Sequence, residues 1–556
     1  MVKKSWILPL LLCAFLTFFV TKNFFTHPGI WPTHDGEIHL VRSMQFFHEL
    51  ERGQFPVRVS VDQAYFRSYP VFSFFYPLPY YTSALFQLAG FSATFSWQLL
   101  LLASTFFSLL FFYAWMRSYF DLFASSVATV VYALVPFQFL TLFVTGQIGG
   151  YLSLLWASVL ALGIHTTIRE KSRVGGILVA VGGASMMLSH AMSIIIFGIP
   201  LAIYTLIVLW QENEKSAPFR LLIGWLVLAL GLSSFYFIPF LFERDTVKMG
   251  HGLLTDYRDH YTTVKQLLYS PWGYYYSNPG PDDGMSLQVG VTVLLAAGVS
   301  AILLLLKSVK KQVSQKSRVL PAGMIAVFFL LCFLQTEHSS FIWKVVVPLQ
   351  YIQFPWRLLA ATSFVGAWLA GWSMQEVRGK CRYALAACFI TLAVWNVRNY
   401  TNPWPLDWRV DQDFKANTQA YYGPTDIFWE LMPAGVVDAP SYPPESMLVY
   451  EPAIVDVTRL ENQEVGATRY AFSLSATQQS VVEFLVWQYP FWQIMLDGVE
   501  VKPEVGQQGT MIISIPEGEH QLTAQLVTTP AQKVGDLLTV IAALTLLWIG
   551  VRSTRR

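Results

Sequence analysis

A short polar cluster early in the chain has the residue types needed for acid–base chemistry. His34, Asp35, Glu37, His39 and Arg42 fall within nine positions, directly after an apolar segment. If a helix begins near residue 35, the side chains at 35, 39 and 42 share one face at i, i+4 and i+7. A carboxylate beside imidazoles could deprotonate an acceptor hydroxyl, and an arginine could hold a phosphate. The alternative is structural, because an aspartate is also typical of a helix N-cap.

Other polar residues stand at the ends of apolar segments, where a membrane surface would lie. They are Gln147, His190, Gln353 and Arg357, whereas Arg58 and Tyr76 follow the polar cluster in proline- and aromatic-rich stretches that suit a surface-lying segment. An ionisable residue at membrane level is a functional hypothesis by default. Arg357 needs an anionic partner, which could be a lipid headgroup, a substrate phosphate or Asp35. His190 considered alone is more often a residue of a turn or of helix packing.

The composition indicates where these residues must operate. The chain has 556 residues, of which 54% are hydrophobic and 13% charged, and its mean hydropathy is +0.44. Soluble domains carry about 25% charged residues. A cytosolic enzyme, a nucleic-acid binder and a disordered scaffold are therefore excluded, and a polytopic membrane protein is predicted. The four cysteines show no disulfide or zinc-ligand spacing.

Apolar runs of spanning length recur about twelve times along the chain. The predicted spans are 5–21, 97–116, 122–144, 150–168, 174–189, 192–210, 220–241, 287–306, 319–335, 357–374, 382–398 and 535–551. Lys and Arg cluster at every second connection, which places both termini in the cytoplasm by the positive-inside rule. The external segments are then 22–96, 243–286, 336–356 and 399–534. We interpret 77–91 as a helix at the outer surface, and 174–210 as two helices joined by a tight hairpin near His190.

Residues 399–534 differ from the rest of the chain in composition and hydropathy pattern, and they are predicted to form an extracytoplasmic β-sandwich. Acidic residues outnumber basic ones there, and apolar–polar alternation appears at 480–487, 491–496, 510–515 and 520–527. Asp497-Gly498 between two such runs favours a type I′ hairpin. The predicted units are a transmembrane part, 1–398, with a long first external loop, 22–96; the β-rich part, 399–534; and a last helix with a basic cytoplasmic tail, 535–556. Aromatic residues of 399–450 could bind sugar rings, although core and interfacial roles are more usual.

Several motifs of other membrane proteins are missing from the sequence. It contains no glycine-rich phosphate loop, HExxH or GxSxG motif, and no nucleotide-binding domain. Charged residues in the middle of the predicted spans are nearly absent. Ion-coupled transporters usually carry such charges near the membrane midplane, so this class is disfavoured.

The order of the motifs resembles the GT-C superfamily of integral membrane glycosyltransferases. Within it, the chain is similar to the YfhO-like proteins and to the membrane domain labelled pyruvoyl-tetrahydropterin-synthase-related. The resemblance covers nearly the whole chain. The matching pieces are His34-Asp35 to Arg42, Gly53–Pro56–Arg58, Phe75-Tyr76-Pro77-Leu78-Pro79-Tyr80-Tyr81, Leu188-Ser189-His190, Gln353-Phe354-Pro355-Trp356-Arg357, and the tail around Trp492 and Asp497-Gly498.

The resemblance implies an inverting transferase, hexosyl or pentosyl, that takes a sugar from a polyprenyl-phosphate carrier. The acceptor would be an extracytoplasmic glycan, lipid or protein of the cell envelope. Asp35 would be the base or a metal ligand, and Arg58 and Arg357 would bind the donor phosphate. A divalent metal, Mg or Mn, is possible, with Asp35, Glu37 and nearby histidines as its only ligands.

Together these inferences define a set of expectations. The catalytic candidates are Asp35, His34, Glu37 and His39. The substrate-binding candidates are Arg42, Arg58, Tyr76, Gln147, His190, Gln353 and Arg357. The protein is expected in the plasma or inner membrane, in contact with lipids and not nucleic acid, with its site on the extracytoplasmic face. The alternatives are a transporter or flippase of lipid-linked sugars and a non-catalytic envelope assembly protein.

Overall fold

The computed structural model describes most of the chain and shows two parts, one helical and one β-rich. It describes residues 6–554 except 27–28, 252–254, 311–313, 406, 418–420, 422, 424–430, 437–439, 441–443, 445 and 460–467. The α-helices are α1 Ile7–Thr21, α2 Gly36–Glu51, α3 Gln63–Phe66, α4 Val71–Phe74, α5 Leu78–Leu88, α6 Ala93–Arg117, α7 Leu122–Ala133, α8 Pro136–Leu140, α9 Ile148–Arg169, α10 Arg173–Ser189, α11 Met192–Gln211, α12 Ser216–Leu232, α13 Ser234–Glu243, α14 Val264–Leu268, α15 Val291–Val309, α16 Gln315–Leu334, α17 Ser340–Val345, α18 Val347–Gln350, α19 Leu359–Glu376, α20 Lys380–Val397, α21 Asp411–Ala416 and α22 Pro530–Thr554.

The protein is a membrane protein with many spanning helices. Eight helical stretches within the described ranges are long and apolar enough to cross a membrane, and α12 with α13 adds a ninth that bends by 69°. Helix α10 is apolar but shorter. Helices α19 and α20 cover the ranges predicted as spans 357–374 and 382–398 without being among those eight. The number twelve and the orientation in the membrane therefore stay predictions.

The helical part is packed around buried aromatic residues. Helix α9 packs against α6 and α10, and α19 packs against α7, α15 and α16. Trp115 of α6 stacks on Phe364 of α19 with ring centroids 5.0 Å apart, and Trp368 lies one turn further along α19. Close packing of such rings, rather than the hydrophobic effect alone, is what holds helices together inside a bilayer. Helices α10 and α11 are separated by a break at His190, as predicted for two helices in 174–210, and the tight hairpin itself stays a prediction.

The β-rich part consists of two antiparallel sheets whose facing side chains are in contact. The strands are β1 Leu448–Val449, β2 Val455–Arg459, β3 Arg469–Ala476, β4 Ser480–Trp487, β5 Trp492–Leu496, β6 Val499–Glu500, β7 Glu504–Val505, β8 Thr510–Ile515 and β9 Gly518–Leu526. One sheet has the order β1-β4-β8-β7 and the other β2-β3-β9-β5-β6. Tyr470 of β3 packs edge-on against Phe484 of β4 at 5.0 Å, so the two sheets share one core.

The hairpin predicted at Asp497-Gly498 is confirmed. Leu496 pairs with Val499 across the turn, and both turn residues have positive φ, 52° for Asp497 and 78° for Gly498. Positive φ at both central positions is what a type I′ turn requires, which glycine and aspartate tolerate better than other residues.

The β-rich part is attached to the first external segment. Arg67 donates from Nη1 to the Leu485 carbonyl at 2.8 Å, and its own carbonyl accepts from the Trp487 amide at 3.0 Å. Ala64, Tyr65, Phe66 and Ser68 on either side have positive φ, a conformation that L-residues rarely adopt outside constrained sites. The contact therefore helps to fix the path of the chain that leads into α4 and Tyr76.

Candidate active site

Most of the side chains singled out in the sequence line one cavity of about 630 Å³. They come from the first external segment and from the ends of α9, α10 and α19. These residues are His34, Asp35, His39, Arg42, Tyr76, Gln147, His190, Gln353 and Arg357. The cavity brings together groups more than 300 positions apart in sequence.

Asp35 stands at the start of α2 with its side chain available to the cavity. The prediction of a helix beginning here is confirmed, and Asp35 occupies the N-cap position but makes no side-chain cap bond. The hydroxyl of Thr33 accepts from the Gly36 amide at 2.9 Å instead. The Asp35 amide donates to the Thr145 carbonyl at 3.0 Å, which ties this turn to the end of a spanning helix. The purely structural role of Asp35 as a side-chain cap is therefore not the one observed.

Gly146 makes this arrangement possible. Its φ is +64°, and a Cβ there would lie 2.1 Å from Thr33 Oγ1 and 2.7 Å from the Gly36 amide nitrogen. Any side chain at 146 would push the start of α2 away from the membrane helices. The next residue, Gln147, hydrogen-bonds to the Asp35 carboxylate.

The electrostatic surroundings of Asp35 make it a stronger base than an ordinary aspartate. Burial raises the pKa of its carboxyl to about 6, although Arg357 and then Arg42, together with the Gln147 hydrogen bond, act to lower it. Burial raises a carboxyl pKa because the charged form loses hydration. A pKa near the working pH is favourable for a general base, since the ionised form is still populated and accepts a proton readily.

His39 and Arg42 lie one and two turns further along α2. His39 is 3% exposed, with Nδ1 2.8 Å from Tyr80 Oη and Nε2 3.3 Å from Tyr76 Oη. Burial, followed by the charge of Arg42 and then His190, lowers the pKa of His39 well below its usual range. The imidazole is therefore neutral at pH 7. The fully buried Arg42 guanidinium lies 4.2 Å from the centre of the Phe75 ring, a cation–π contact.

Arg357 approaches Asp35 from the N-terminal end of α19. Its Nη1 donates to the Ile352 carbonyl and to Gln353 Oε1, each at 2.9 Å. The guanidinium lies 4.8 Å from the Phe354 ring centre. Within the described part of the chain, its buried Nε has no hydrogen-bond partner. A buried unsatisfied N–H costs about 1–3 kcal/mol, so a ligand that accepts from it gains binding energy.

His190 and Tyr76 form the wall beside Arg357. Their rings meet edge to face at 5.4 Å, and His190 Nδ1 lies 2.8 Å from the Ser193 hydroxyl. A Cβ at Gly149 would lie 2.2 Å from the Ser189 carbonyl oxygen and 2.7 Å from the Tyr76 ring. Glycine at this position thus lets α9, the His190 turn and Tyr76 come together.

The structure adds residues to the site that sequence reasoning did not identify. Tyr236 and Phe240 of α13, and His260, Tyr276 and Ser277 of the second external segment, line the same cavity. The Tyr276 ring stacks on His34 at 4.3 Å. The aromatic run at 274–276 was a local signal for such a surface, but nothing near it in sequence pointed to Asp35.

Two of the candidates lie outside the cavity lining. Glu37 forms an ion pair with Arg409 at 3.3 Å. Arg58 donates from Nη1 to the Phe235 carbonyl at 2.8 Å and from Nη2 to Asp536 at 2.5 Å. These contacts join the first external segment to α13 and α22, so the Arg58 guanidinium has protein partners.

The donor groups of the site do not fit a bound divalent metal. Across the described ranges, no group of three or more His, Cys, Asp or Glu side chains is placed to hold a metal ion. Of the two carboxylates proposed as ligands, Asp35 faces Arg357 and Arg42, and Glu37 is paired with Arg409. No step of the chemistry below is routed through a metal.

No family model matches the chain, and no curated protein matches it. Among solved structures, it is similar to the oligosaccharyltransferase of Archaeoglobus fulgidus in the apo form, with a TM-score of 0.45 and 13% identity over 80% of this chain and 62% of that one. It is also similar to the arabinofuranosyltransferase AftD from Mycobacteria, with a TM-score of 0.44 and 16% identity over 72% of this chain and 26% of that one. The same oligosaccharyltransferase in complex with Zn and sulfate gives a TM-score of 0.39 and 14% identity.

Both proteins are named as transferases of sugar groups, and this chain spans less than two thirds of the length of each. A TM-score under 0.5 does not establish a common fold. The resemblance to the GT-C superfamily and to YfhO-like proteins therefore stays a prediction. Within the described residues, the structure defines a membrane protein with an arginine-lined cavity that contains one carboxylate, that of Asp35.

Proposed function

We propose that this protein is a glycosyltransferase that moves a sugar from a polyprenyl-phosphate carrier to an extracytoplasmic acceptor, with Asp35 as the general base. One observation supports this most directly. The Asp35 carboxylate and the Arg357 guanidinium line the same cavity, and Arg357 Nε is without a partner within the described residues. A base and an anion-binding group in one cavity are the two parts that transfer from a phosphate leaving group needs.

The chemistry is a single displacement. The acceptor hydroxyl oxygen attacks the anomeric carbon of the donor sugar while Asp35 removes its proton. The bond between that carbon and the phosphate oxygen breaks, and its electron pair leaves with the carrier phosphate. Arg357 stabilises the developing negative charge, and Arg42 adds positive potential from α2. One bond forms on the face opposite the one that breaks, so the anomeric configuration inverts.

The apolar part of the lining suits a lipid-borne donor. Phe74, Phe75, Tyr236, Phe240 and Met249 contribute to the same cavity as the charged groups. Tyr236 donates to the Phe74 carbonyl at 3.1 Å, which joins α13 to the end of α4. An apolar wall excludes water, and this limits hydrolysis of the donor.

A transfer assay tests the proposal. Purified protein in detergent is incubated with radiolabelled polyprenyl-phosphate sugars, hexosyl and pentosyl, and a crude envelope extract. We expect label to move from at least one donor to a product that is no longer extracted with the carrier lipid. In parallel, the protein is reconstituted in vesicles and movement of the intact donor across the bilayer is measured. Donor movement without a new glycosidic bond, or no transfer by protein with a cooperative melt, contradicts the proposal.

The transfer rate is expected to depend on pH through Asp35. A base acts in its deprotonated form, so with a carboxyl pKa of about 6 the rate rises with pH and reaches half its plateau near pH 6. Below that pH it falls about tenfold per unit. Burial lowers the pKa of His190 to about 3 and that of His39 well below its usual range, so neither imidazole should contribute a step between pH 4.5 and 8. Measuring kcat/KM from pH 4.5 to 8 checks this, and a flat profile contradicts it.

A further inference from the structure

We propose that the mouth of the cavity is a binding subsite for a carbohydrate acceptor, with the exposed ring of Tyr276, backed by His34, as its stacking surface. The acceptor would then be a glycan rather than a peptide or a lipid. This inference rests on the proposed function for the sugar that is transferred, but the subsite itself can be tested without any transfer.

Tyr276 belongs to the cavity and to the protein surface at once. Its ring is 61% exposed and also lines the cavity beside Asp35. The ring stacks on His34 with centroids 4.3 Å apart and planes 29° from parallel. His34, Asp35 and Tyr276 line the same cavity, so a sugar ring bound on Tyr276 lies at the mouth of the cavity that holds the proposed base.

Further rings extend this surface outwards. Tyr275 is 66% exposed, and Trp404 lies 6.1 Å from it, ring centre to ring centre. Trp404 also packs edge-on against Tyr274 at 5.2 Å. Exposed and half-buried rings therefore extend from the cavity mouth, across residues 274–276, to Trp404 in the chain that follows α20.

The backbone holds these rings in place. The Tyr275 amide donates to the Gly284 carbonyl at 3.0 Å, and the Gly284 amide donates to the Tyr276 carbonyl at 3.1 Å. Tyr274 Oη donates to the Asn402 carbonyl at 2.8 Å, and His34 Nε2 lies 3.3 Å from the Tyr274 carbonyl oxygen. A surface that is ordered before binding loses less entropy when the ligand arrives.

Such a surface matches the chemistry of a sugar ring. The face of a tyrosine ring carries partial negative charge, and the C–H groups on one face of a pyranose carry partial positive charge. The edge of a sugar offers hydroxyls, and Ser277 and His260, 3.1 Å apart, present hydrogen-bonding groups at the same cavity. Exposed rings beside a few placed polar groups are the usual construction of a binding site with orientation.

A peptide acceptor fits this mouth less well. Extended peptides commonly bind by adding a strand to a sheet edge. Residues 255–286 of the second external segment contain no β-strand, and Tyr274 and Met285 form only an isolated bridge. The rings are therefore the main contact that the mouth offers.

Binding of soluble oligosaccharides tests the subsite. The probes are fluorescein-labelled hexasaccharides of glucose, galactose, mannose and N-acetylglucosamine, titrated into the full-length protein in detergent without donor. We expect at least one to bind saturably to the wild type. Tyr276→Ala should weaken that binding at least tenfold, whereas Tyr276→Phe, which keeps the ring, should weaken it less than threefold. Tyr269→Ala is the matched control, because Tyr269 is 65% exposed on the same segment and outside the cavity lining.

The outcomes separate this inference from the proposed function. Asp35→Asn should bind the hexasaccharide like wild type, because the carboxylate is needed for the reaction and not for stacking. If Tyr276→Ala loses hexasaccharide binding but the wild type transfers no sugar, the glycan subsite is supported and the transferase function is contradicted. Transfer by wild type with no hexasaccharide bound, or with equal binding by Tyr276→Ala, overturns the glycan subsite and favours a peptide or lipid acceptor.

Discussion

Replacing Asp35 by asparagine is expected to lower the transfer rate by about 100- to 10,000-fold, the usual contribution of a general base. Asparagine has the same shape and can still accept the hydrogen bond from Gln147, but it cannot take a proton. The helix should still begin at Gly36, because Thr33 and not Asp35 caps its first amide. The loss should therefore appear in kcat, with the melting temperature changed little. The initial rate of label transfer under saturating donor measures it.

The control for this variant is Asp282→Asn, an exposed carboxylate of the second external segment outside the cavity lining. It should transfer sugar like wild type. The residual rate of Asp35→Asn should also lose the rise through pH 6, a readout that a structural defect alone does not produce. A variant at residue 35 that retains more than half of the wild-type rate would show that another group accepts the proton.

The spacing of residues in the sequence predicted those features that lie within a single helix or turn. The positions 35, 39 and 42 were expected on one helical face, and α2 presents all three to the cavity. The turn at His190 followed from an apolar run too long for one span, and Asp497-Gly498 followed from turn chemistry. In each case the signal lies within a few residues of the feature, where helix and turn geometry are set by neighbouring side chains.

The sequence could not predict contacts made across the fold. Arg58 looked like a phosphate-binding residue, but its partners are Phe235 and Asp536, one of them 478 positions away. Tyr276 reaches His34 because the second external segment folds back over the first. Such pairings depend on how helices and loops pack in three dimensions, which leaves no period or motif in the local sequence.

The chemistry of Asp35 also needed the structure. From sequence, Asp35 could be a helix cap, and the resemblance implied a base or a metal ligand. The Thr33 cap and the approach of Arg357 support the role of base that we propose. What decides between them is which side chains surround the carboxylate, and those come from α2, from Gln147 and from the start of α19.

Replacing Arg357 by glutamine is expected to lower kcat/KM for the donor by about 100- to 1,000-fold, the range measured when one transition-state donor is removed. Glutamine can still hydrogen-bond but has no charge to offset the departing phosphate. Dodecyl phosphate, which mimics the carrier product, should inhibit the wild type and inhibit Arg357→Gln at least tenfold less. Dodecyl maltoside, an uncharged amphiphile of the same chain length, should affect both equally.

Replacing Arg357 by lysine distinguishes the contribution of its positive charge from that of the guanidinium geometry. It restores the positive charge but cannot donate from the fixed fork of a guanidinium, so Arg357→Lys should recover part of the phosphate inhibition and less of the rate. Arg258→Gln, an exposed arginine of the second external segment paired with Asp256, is the matched control and should behave like wild type. Because Arg357 also contacts Ile352 and Gln353, the melting temperature of each variant is measured alongside. A folded Arg357→Gln with unchanged sensitivity to dodecyl phosphate would place the phosphate elsewhere, with Arg42 as the other arginine among the described lining residues.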